Sequence, residues 1–234
     1  MQTGVLYGIS VGTGDPELIT VKGLRILQKT SVVAFPSGTN NRPGVARSII
    51  AGWLKPEQIS LSLEFPYLQD EDLLRNAWQK AARQVWYYLA QGIDVSFACL
   101  GDVSFYSTFT YLAQTLQDLY PEVRIETVPG VCSTMAIASA LKIPLTVNQQ
   151  KLVVLPALYS VQELETALDW AEVVVLLKFS SVYREVWQIL HRRNLLVSSW
   201  IVEKATFPEQ KIYQNLEEYP DLDLSYFSIL LIQP

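Results

Sequence analysis

The chain has 234 residues and a formal net charge of −5 at pH 7, with 50% apolar and 18% charged residues. This composition supports a sizeable hydrophobic core and differs from that of a disordered chain. The negative charge argues against a general nucleic-acid binder, which would present a basic surface. Because the sequence has neither a run of about 18 uncharged apolar residues nor a signal-peptide pattern, we expect no membrane span and a cytoplasmic protein.

Histidine and cysteine are scarce in this chain. The single histidine, His191, lies near the end of a predicted helix, where a cation interacts favourably with the helix dipole. Cys99 and Cys132 are far apart in apolar segments, so we expect two buried thiols and no disulfide. These residues do not form a typical zinc site, and the sequence predicts neither a bound metal nor a histidine base.

Strands and helices alternate through the first half of the chain. Apolar runs predict strands at residues 4–11, 32–35, 95–100 and 123–128. Helical spacing of apolar residues and flanking turn residues predict helices at residues 18–29, 45–53, 71–91, 108–119 and 129–140. Asp70 is the expected N-cap of the third helix. This alternation indicates a parallel sheet.

The second half has more strands for each helix. Strands are predicted at residues 152–155, 173–177, 197–202, 211–215 and 227–232, and helices at residues 161–169 and 180–191. Adjacent strands with short connections indicate a mixed or antiparallel sheet. We therefore predict two α/β domains, residues 1–120 and 121–234, divided by a change of topology and not by a linker.

Three glycine-marked loops follow predicted strands and lead toward helices. The first loop reads GTGDP (residues 12–16), the second GDVSFYST (101–108) and the third PGVCST (129–134). The carboxyl ends of parallel strands share one edge of a sheet, so these loops are expected to meet where ligands bind. Glycine lets a backbone approach a ligand closely, and helix N-termini offer free N–H groups.

Each loop also has a simpler explanation as a tight turn. Asp15 can cap a helix, Asp102 can be a turn residue, and Ser133 and Thr134 can be caps. The first loop matches neither the dinucleotide fingerprint nor the P-loop. Three such loops in order favour a ligand crevice over three independent turns, without identifying the ligand.

The same segments resemble the signature motifs of the tetrapyrrole methylase family. Residues 8–22 resemble its opening signature, and later motifs are matched by residues 101–108, 128–145 and 202–206. The matches run in order from residue 4 to residue 232. There are two departures, because Thr13 and Val103 stand where the family usually has proline. Val103 lacks the fixed φ of proline, which affects the rigidity of the second loop.

The resemblance implies a fold and a reaction. The fold would have a parallel-sheet N-terminal domain, a mixed-sheet C-terminal domain and a ligand trough between them. The reaction would be methylation by S-adenosylmethionine, which leaves S-adenosylhomocysteine and needs no metal. A particular branch of the family, which methylates C(20) of precorrin-2 or cobalt-factor II in cobalamin biosynthesis, is resembled by residues 34–36, 45–47, 64–66, 77–78, 94–97 and 154–157.

The resemblance also implies site residues. The positions that match the family's cofactor contacts are Thr13, Leu100, Gly101, Asp102, Phe105, Cys132, Ser133, Leu177, Lys178 and Ala205. Asp102 is expected to be a polar anchor near the methionine part of the cofactor and a candidate proton acceptor. Tyr106 is the other candidate proton acceptor or a substrate contact.

The tetrapyrrole would carry many carboxylates, so an acidic protein needs a local basic rim for it. Arg42, Arg47 and Lys204 are the candidate substrate contacts, although solvated surface charge explains each of them too. No nucleic acid or membrane is expected as a partner. The family resemblance implies a homodimer, and the aromatic residues 86–88 could serve its interface or pack within a helix.

Two other functions stay open at this point. One is methylation of a different corrin carbon or of uroporphyrinogen. The other is a non-catalytic nucleotide-binding module that keeps the three loops. The sequence also does not distinguish a metal-free substrate from one that contains cobalt.

Overall fold

The computed structural model describes residues 2–38, 43–66, 70–156 and 161–233. The chain divides into two compact units, Met1–Cys132 and Ser133–Pro234. Each unit contains one five-stranded sheet.

The sheet of the first unit is parallel throughout, as the sequence predicts. Its strands are β1 (Val5–Ser10), β2 (Val32–Pro36), β3 (Ile59–Leu63), β4 (Val95–Cys99) and β5 (Arg124–Val128). They are ordered β3-β2-β4-β1-β5. Ser10 pairs with Cys99 and Ile9 pairs with Val128, so the carboxyl ends of β1, β4 and β5 lie side by side.

Strand β5 explains where the first unit ends. The sequence placed the domain division at residue 120, ahead of this strand. In the structure β5 pairs along its whole length with β1 and therefore belongs to the first sheet. The first unit consequently continues to Cys132, where the third loop leads into the next helix.

Strand β3 was not predicted from the sequence. It lies at the edge of the sheet next to β2, and most of its residues are exposed or half-buried. Its sequence ISLSL alternates apolar and polar residues, which is the period of a half-exposed strand. That alternation is the signal that could have identified it.

Four helices cover the parallel sheet: α1 (Val21–Lys29), α2 (Val45–Ile50), α3 (Glu71–Leu89) and α4 (Thr108–Leu119). The Asp70 carboxylate accepts hydrogen bonds from the N–H groups of Asp72 and Leu73 at 3.0 Å, which confirms it as the N-cap of α3. Helix α1 begins later than predicted, because residues Pro16–Leu18 form a separate 3₁₀ turn capped by Asp15.

The core of the first unit lies between the sheet and helices α3 and α4. Leu6 and Phe97 from the strands are fully buried there, together with Leu89, Leu112 and Leu116 from the helices. Burying a side chain of this size stabilises the fold by roughly 1.5–3 kcal/mol. This core holds the strands in register and thereby fixes the positions of their carboxyl ends.

The second unit has the mixed sheet that the sequence predicts. Its elements are α5 (Ser133–Leu141), β6 (Leu152–Leu155), α6 (Val161–Leu168), β7 (Val173–Leu177), α7 (Tyr183–Arg192), β8 (Ser199–Glu203), β9 (Lys211–Gln214) and β10 (Ser228–Ile232). The strand order is β6-β7-β10-β8-β9. Only the β6–β7 pair is parallel, and the other neighbours are antiparallel.

His191 has a structural role in the second unit. It lies in the last turn of α7, and its ring stacks on Trp187 with a centroid separation of 5.1 Å. Its position near the end of this helix is the one expected from the sequence. Within the described ranges, each helix is too short or too polar to cross a bilayer.

Candidate cofactor-binding site

The first and second loops lie directly against each other. The Gly101 N–H donates to the Gly12 carbonyl at 2.7 Å, and the Gly12 N–H donates to the Gly101 carbonyl at 3.4 Å. Both glycines have positive φ angles, +78° and +72° respectively for Gly12 and Gly101. A Cβ on Gly12 would lie 2.7 Å from the Leu18 Cβ, so the chain needs glycine at this close approach.

The Asp102 carboxylate joins the second loop to the third. Its Oδ2 accepts a hydrogen bond from the Gly130 N–H at 2.7 Å. Its Oδ1 accepts from the Ser104 N–H at 2.8 Å and from the Ser104 hydroxyl at 2.5 Å. The residue is only 8% exposed, so these contacts are largely shielded from water.

Ser10, the last residue of β1, lies at the centre of this arrangement and is fully buried. Its hydroxyl donates to the Val128 carbonyl at 2.7 Å and accepts from the Val103 N–H at 3.0 Å. The Asp102 Oδ2 is 3.4 Å from the same hydroxyl. A Cβ on Gly130 would lie 2.5 Å from the Ser10 Cβ, so the third loop packs tightly on the end of β1.

The hydrogen bonds also set the protonation state of Asp102. Burial alone would raise its pKa, but the hydrogen bonds donated by Ser104 and Gly130 outweigh burial and hold the pKa below the usual value. A carboxylate with a lowered pKa and occupied acceptor sites is a weak proton acceptor at neutral pH. The geometry therefore favours the anchoring role of Asp102 over its role as a base.

Tyr106 and Phe105 form the outer part of the second loop. Tyr106 is 54% exposed and has a φ of +51°, an uncommon backbone conformation for a bulky residue. Its ring meets the half-buried ring of Phe105 edge-on, with centroids 4.8 Å apart. Strained backbone of this kind is concentrated at functional sites. Tyr106 is thus an exposed aromatic residue of the second loop in an uncommon backbone conformation.

The two cysteines differ in their surroundings. Cys99 is buried at the end of β4, and burial raises the pKa of its thiol to about 11 despite the hydrogen bond with Ser107 at 2.8 Å. It is therefore a protonated structural thiol. Cys132 is only half-buried, so the expectation of a buried thiol is wrong for this residue. Its place in the third loop leaves part of its surface accessible.

Other expected cofactor contacts of the first unit also lie on these loops. Thr13 is buried in the first loop, and Leu100 is half-buried directly before Gly101. Apart from its two chain neighbours, no atom of the described residues would lie within 4 Å of a Cβ built on Gly101, so the space beside this glycine is open. A ligand could approach the backbone there without displacing any side chain.

The expected contacts of the second unit lie where its chain leaves the sheet. Leu177 is buried at the end of β7, and Lys178 follows with a φ of +52° and its ammonium 5.7 Å from the Tyr226 ring centroid. Lys204 follows β8 with a φ of +47°, and Ala205 after it is buried. The remaining expected contact in this unit, Ser133, is the first residue of α5.

Two residues at these sites were missed in the sequence, Ser10 and Glu203. The buried Glu203 carboxylate accepts from the Ser225 N–H and the Tyr213 hydroxyl, both at 2.9 Å. Burial would raise its pKa, but these hydrogen bonds lower it. Both residues are polar positions inside apolar strands, which is the signal that could have identified them.

The expected basic residues are found in different places. Arg47 is half-buried on α2, with its guanidinium carbon 5.8 Å from the centroid of the Phe35 ring. Arg42 lies outside the described residues. Among the residues that the structure describes, no three His, Cys, Asp or Glu side chains are gathered as metal ligands would be.

The sequence model of the Tetrapyrrole (Corrin/Porphyrin) Methylases matches residues 5–220 of this chain. The chain belongs to this family. The resemblance carried by the three loops is thereby confirmed, and the loops described above are those of a tetrapyrrole methylase.

Individual tetrapyrrole methylases resemble the chain over almost its whole length. The cobalt-precorrin-2 C(20)-methyltransferase of Salmonella typhimurium is 31% identical and is matched over 98% of this chain and 96% of its own. The probable cobalt-precorrin-2 C(20)-methyltransferase of Methanocaldococcus jannaschii is 30% identical and is matched over 97% of this chain and 95% of its own. The fold is shared with the uroporphyrin-III C-methyltransferase of Thermus thermophilus, whose structure was solved with S-adenosylhomocysteine. The two structures superpose with a TM-score of 0.65 and 19% sequence identity, over 98% of this chain and 97% of the other.

Replacing Asp102 by Asn should destabilise the protein by about 1–3 kcal/mol at pH 7, because an amide cannot accept from Gly130 and Ser104 together. The folded-state pKa of Asp102 is lowered, so its carboxylate stabilises the fold above about pH 4 and loses this effect as the pH falls through the folded-state pKa. Urea unfolding between about pH 3 and pH 7 measures the free energy of unfolding of both proteins. The difference in this free energy between wild type and variant should therefore become smaller as the pH falls.

The exposed Asp118→Asn substitution removes the same charge and is the matched control. It should leave the free energy of unfolding nearly unchanged at every pH. A constant difference between wild type and Asp102→Asn down to about pH 3 would contradict the role assigned to the carboxylate.

Proposed function

We propose that this chain transfers a methyl group from S-adenosylmethionine to C(20) of precorrin-2 or cobalt-factor II in cobalamin biosynthesis. The observation that carries the proposal is the near-complete match, at 30–31% identity, with two relatives named as cobalt-precorrin-2 C(20)-methyltransferases. Methylation of another corrin carbon or of uroporphyrinogen, and nucleotide binding without catalysis, are the alternatives that the experiment below distinguishes.

The geometry of the loops fits S-adenosylmethionine. Its sulfonium supplies an already activated methyl group. The protein must then mainly align the accepting carbon with the donor and keep water out. The hydrogen-bonded backbone at Gly12 and Gly101 gives a rigid surface, and the open space beside Gly101 admits a ligand. Asp102, which is ionised at neutral pH, places a negative charge close to this surface, where a cation is favoured.

The proposed cofactor contacts come from both units. In the first unit they are residues of the loops that Asp102 and Ser10 hold together, namely Thr13, Leu100, Gly101, Asp102, Phe105 and Cys132. In the second unit they are Ser133, Leu177, Lys178 and Ala205, which enter from the family resemblance. The positive φ angles of Gly12, Gly101 and Lys178 support contacts made by backbone groups.

Loss of a proton from the methylated carbon completes the reaction. We assign the proton acceptor to Tyr106 in preference to Asp102. The Asp102 oxygens are occupied by hydrogen bonds, and its lowered pKa makes it a weak base. Tyr106 is 54% exposed on the same loop, and its ring packs edge-on against that of Phe105. In this step the Tyr106 oxygen would accept the carbon-bound proton while its own O–H proton passes to water, so the phenol acts as a proton relay and stays neutral.

We also propose a homodimer located in the cytoplasm. Of the three aromatic residues 86–88 on α3, Trp86 already stacks on Tyr120 at 4.2 Å. Tyr87 is 65% exposed and is the one with most ring area available to a partner. An exposed ring of this size is a common anchor at protein interfaces.

The test of the reaction uses the purified protein, S-adenosylmethionine labelled with ¹³C in its methyl group, and precorrin-2 or cobalt-factor II in separate incubations. We expect the tetrapyrrole mass to rise by one labelled methyl group, and the ¹³C spectrum to place it at C(20). The faster of the two incubations identifies the natural substrate as metal-free or cobalt-containing.

Two outcomes would overturn this proposal. Label at a different carbon would assign the chain to another methylation step. Tight binding of S-adenosylmethionine without transfer to precorrin-2, cobalt-factor II or uroporphyrinogen would favour a nucleotide-binding module. An excess of S-adenosylhomocysteine should suppress genuine transfer and is the control for non-enzymatic labelling.

The proposed substrate contacts are Arg42, Arg47 and Lys204. Arg47 is the one that can be tested against a matched control. Arg47→Ala should raise KM for the tetrapyrrole by about tenfold or more, because a charge-assisted hydrogen bond to a carboxylate contributes about 1.5–3 kcal/mol. KM for S-adenosylmethionine should stay unchanged. Both constants come from initial rates with one substrate saturating.

The control variant Arg75→Ala removes an equal charge from an exposed position on α3, where Arg75 only approaches Asp72 at 3.8 Å. It should change neither KM. An unchanged KM for the tetrapyrrole in Arg47→Ala would remove Arg47 from the substrate site.

A further inference from the structure

Val103 lies in a tight turn that forms the start of the second loop. The Phe105 N–H donates to the Asp102 carbonyl at 3.3 Å, which closes a β-turn over residues 102–105 with Val103 in its second position. Proline is favoured at this position because its φ is already fixed. Valine at the same place has a free φ in the unfolded chain and a backbone N–H that needs an acceptor.

The acceptor for that N–H is the Ser10 hydroxyl. Val103 is 4% exposed and Ser10 is fully buried, so water does not compete for this hydrogen bond. The N–H lies 3.0 Å from the Ser10 Oγ, and the Ser10 hydrogen is donated to the Val128 carbonyl at 2.7 Å. A buried N–H without a partner would destabilise this turn, whereas a proline there would leave no N–H to satisfy.

This turn determines the position of Asp102. Asp102 is its first residue and Ser104 its third, and both hydrogen bonds to Oδ1 are made within the turn. The other oxygen reaches Gly130 of the third loop. If the turn opens because the Val103 N–H loses its acceptor, the carboxylate moves away from Gly130 and the backbone of both loops becomes less ordered.

We propose that Ser10 is a positioning residue of the cofactor site, which acts on Asp102 through the N–H of Val103. Ser10 and Val103 then form one energetically coupled pair, in which the serine contributes most while residue 103 carries an N–H. The coupling concerns the fold of the loops. Its effect on the cofactor rests on the proposed function.

The test is a double-mutant cycle with wild type, Ser10→Ala, Val103→Pro and the double variant. Thermal unfolding gives Tm, and calorimetry gives Kd for S-adenosylhomocysteine. Ser10→Ala should lower Tm by about 3–8 °C and raise Kd by about tenfold, because it removes the acceptor of the buried Val103 N–H and a donor to the Val128 carbonyl. In the Val103→Pro background, the Ser10→Ala substitution should lower Tm and raise Kd by clearly smaller amounts than it does in the wild type.

Ser96→Ala is the matched control for a general loss of stability. Ser96 is also a fully buried serine of the same sheet, and its hydroxyl lies 2.7 Å from that of Thr30, away from the three loops. This variant should lower Tm but leave Kd unchanged. Equal losses of binding in Ser96→Ala and Ser10→Ala would overturn the positioning role, even if Val103→Pro failed to fold.

Equal effects of Ser10→Ala with valine and with proline at position 103 would overturn the coupling. Failure of the proposed function gives a different result. If wild type binds S-adenosylhomocysteine but methylates no tetrapyrrole, the cycle in Kd and Tm still tests the pair. If the wild-type protein does not bind S-adenosylhomocysteine, the Tm values of the four proteins still test the coupling between Ser10 and Val103.

Discussion

The Asp102 carboxylate is buried where β1, β4 and β5 end, and a buried charge must be hydrogen-bonded to remain ionised. Its donors are a turn in its own loop and the backbone of the third loop. The carboxylate therefore fixes two loops at once, and the paired glycines Gly12 and Gly101 join the first loop to them. Preorganised backbone of this kind needs no rearrangement when a ligand binds.

The parallel sheet makes this arrangement possible. β1 lies between β4 and β5, so the three strands that precede the loops are neighbours and end together. The chain is crowded where these strands end, and glycine residues make the close approaches possible. Gly130 passes over Ser10 with no room for a Cβ, and Gly8 lies against the ring of Phe109 in the same way. The close packing of the strands is thus part of the site.

In the proposed reaction the donor brings its own positive charge and its own activation. The contribution required of the protein is therefore a fixed surface, a nearby negative charge and a route for one proton. Asp102 provides the first two and is poorly suited to the third, because the hydrogen bonds that anchor it also lower its pKa. We therefore propose that Asp102 is the anchor and that Tyr106 handles the proton.

Much of this organisation could be read from the sequence because it depends on local signals. Apolar runs predicted β1, β2, β4 and β5, Asp70 was identified as a cap, and glycines marked the loops. The partner of a strand is not a local property, so the domain division was placed ahead of β5. Ser10 was missed for the same reason, since its role depends on Val103, which is distant in sequence. The contacts assigned to the second unit stay predictions.

Whether the loops held by Asp102 form the cofactor site is tested most directly by amide NMR of the ¹⁵N-labelled protein titrated with S-adenosylhomocysteine. We expect the largest shifts and the strongest protection from hydrogen exchange at residues 12–14, 101–106 and 130–132, with little change along α3. Saturable binding that leaves these amides unaffected while others respond would contradict the claim.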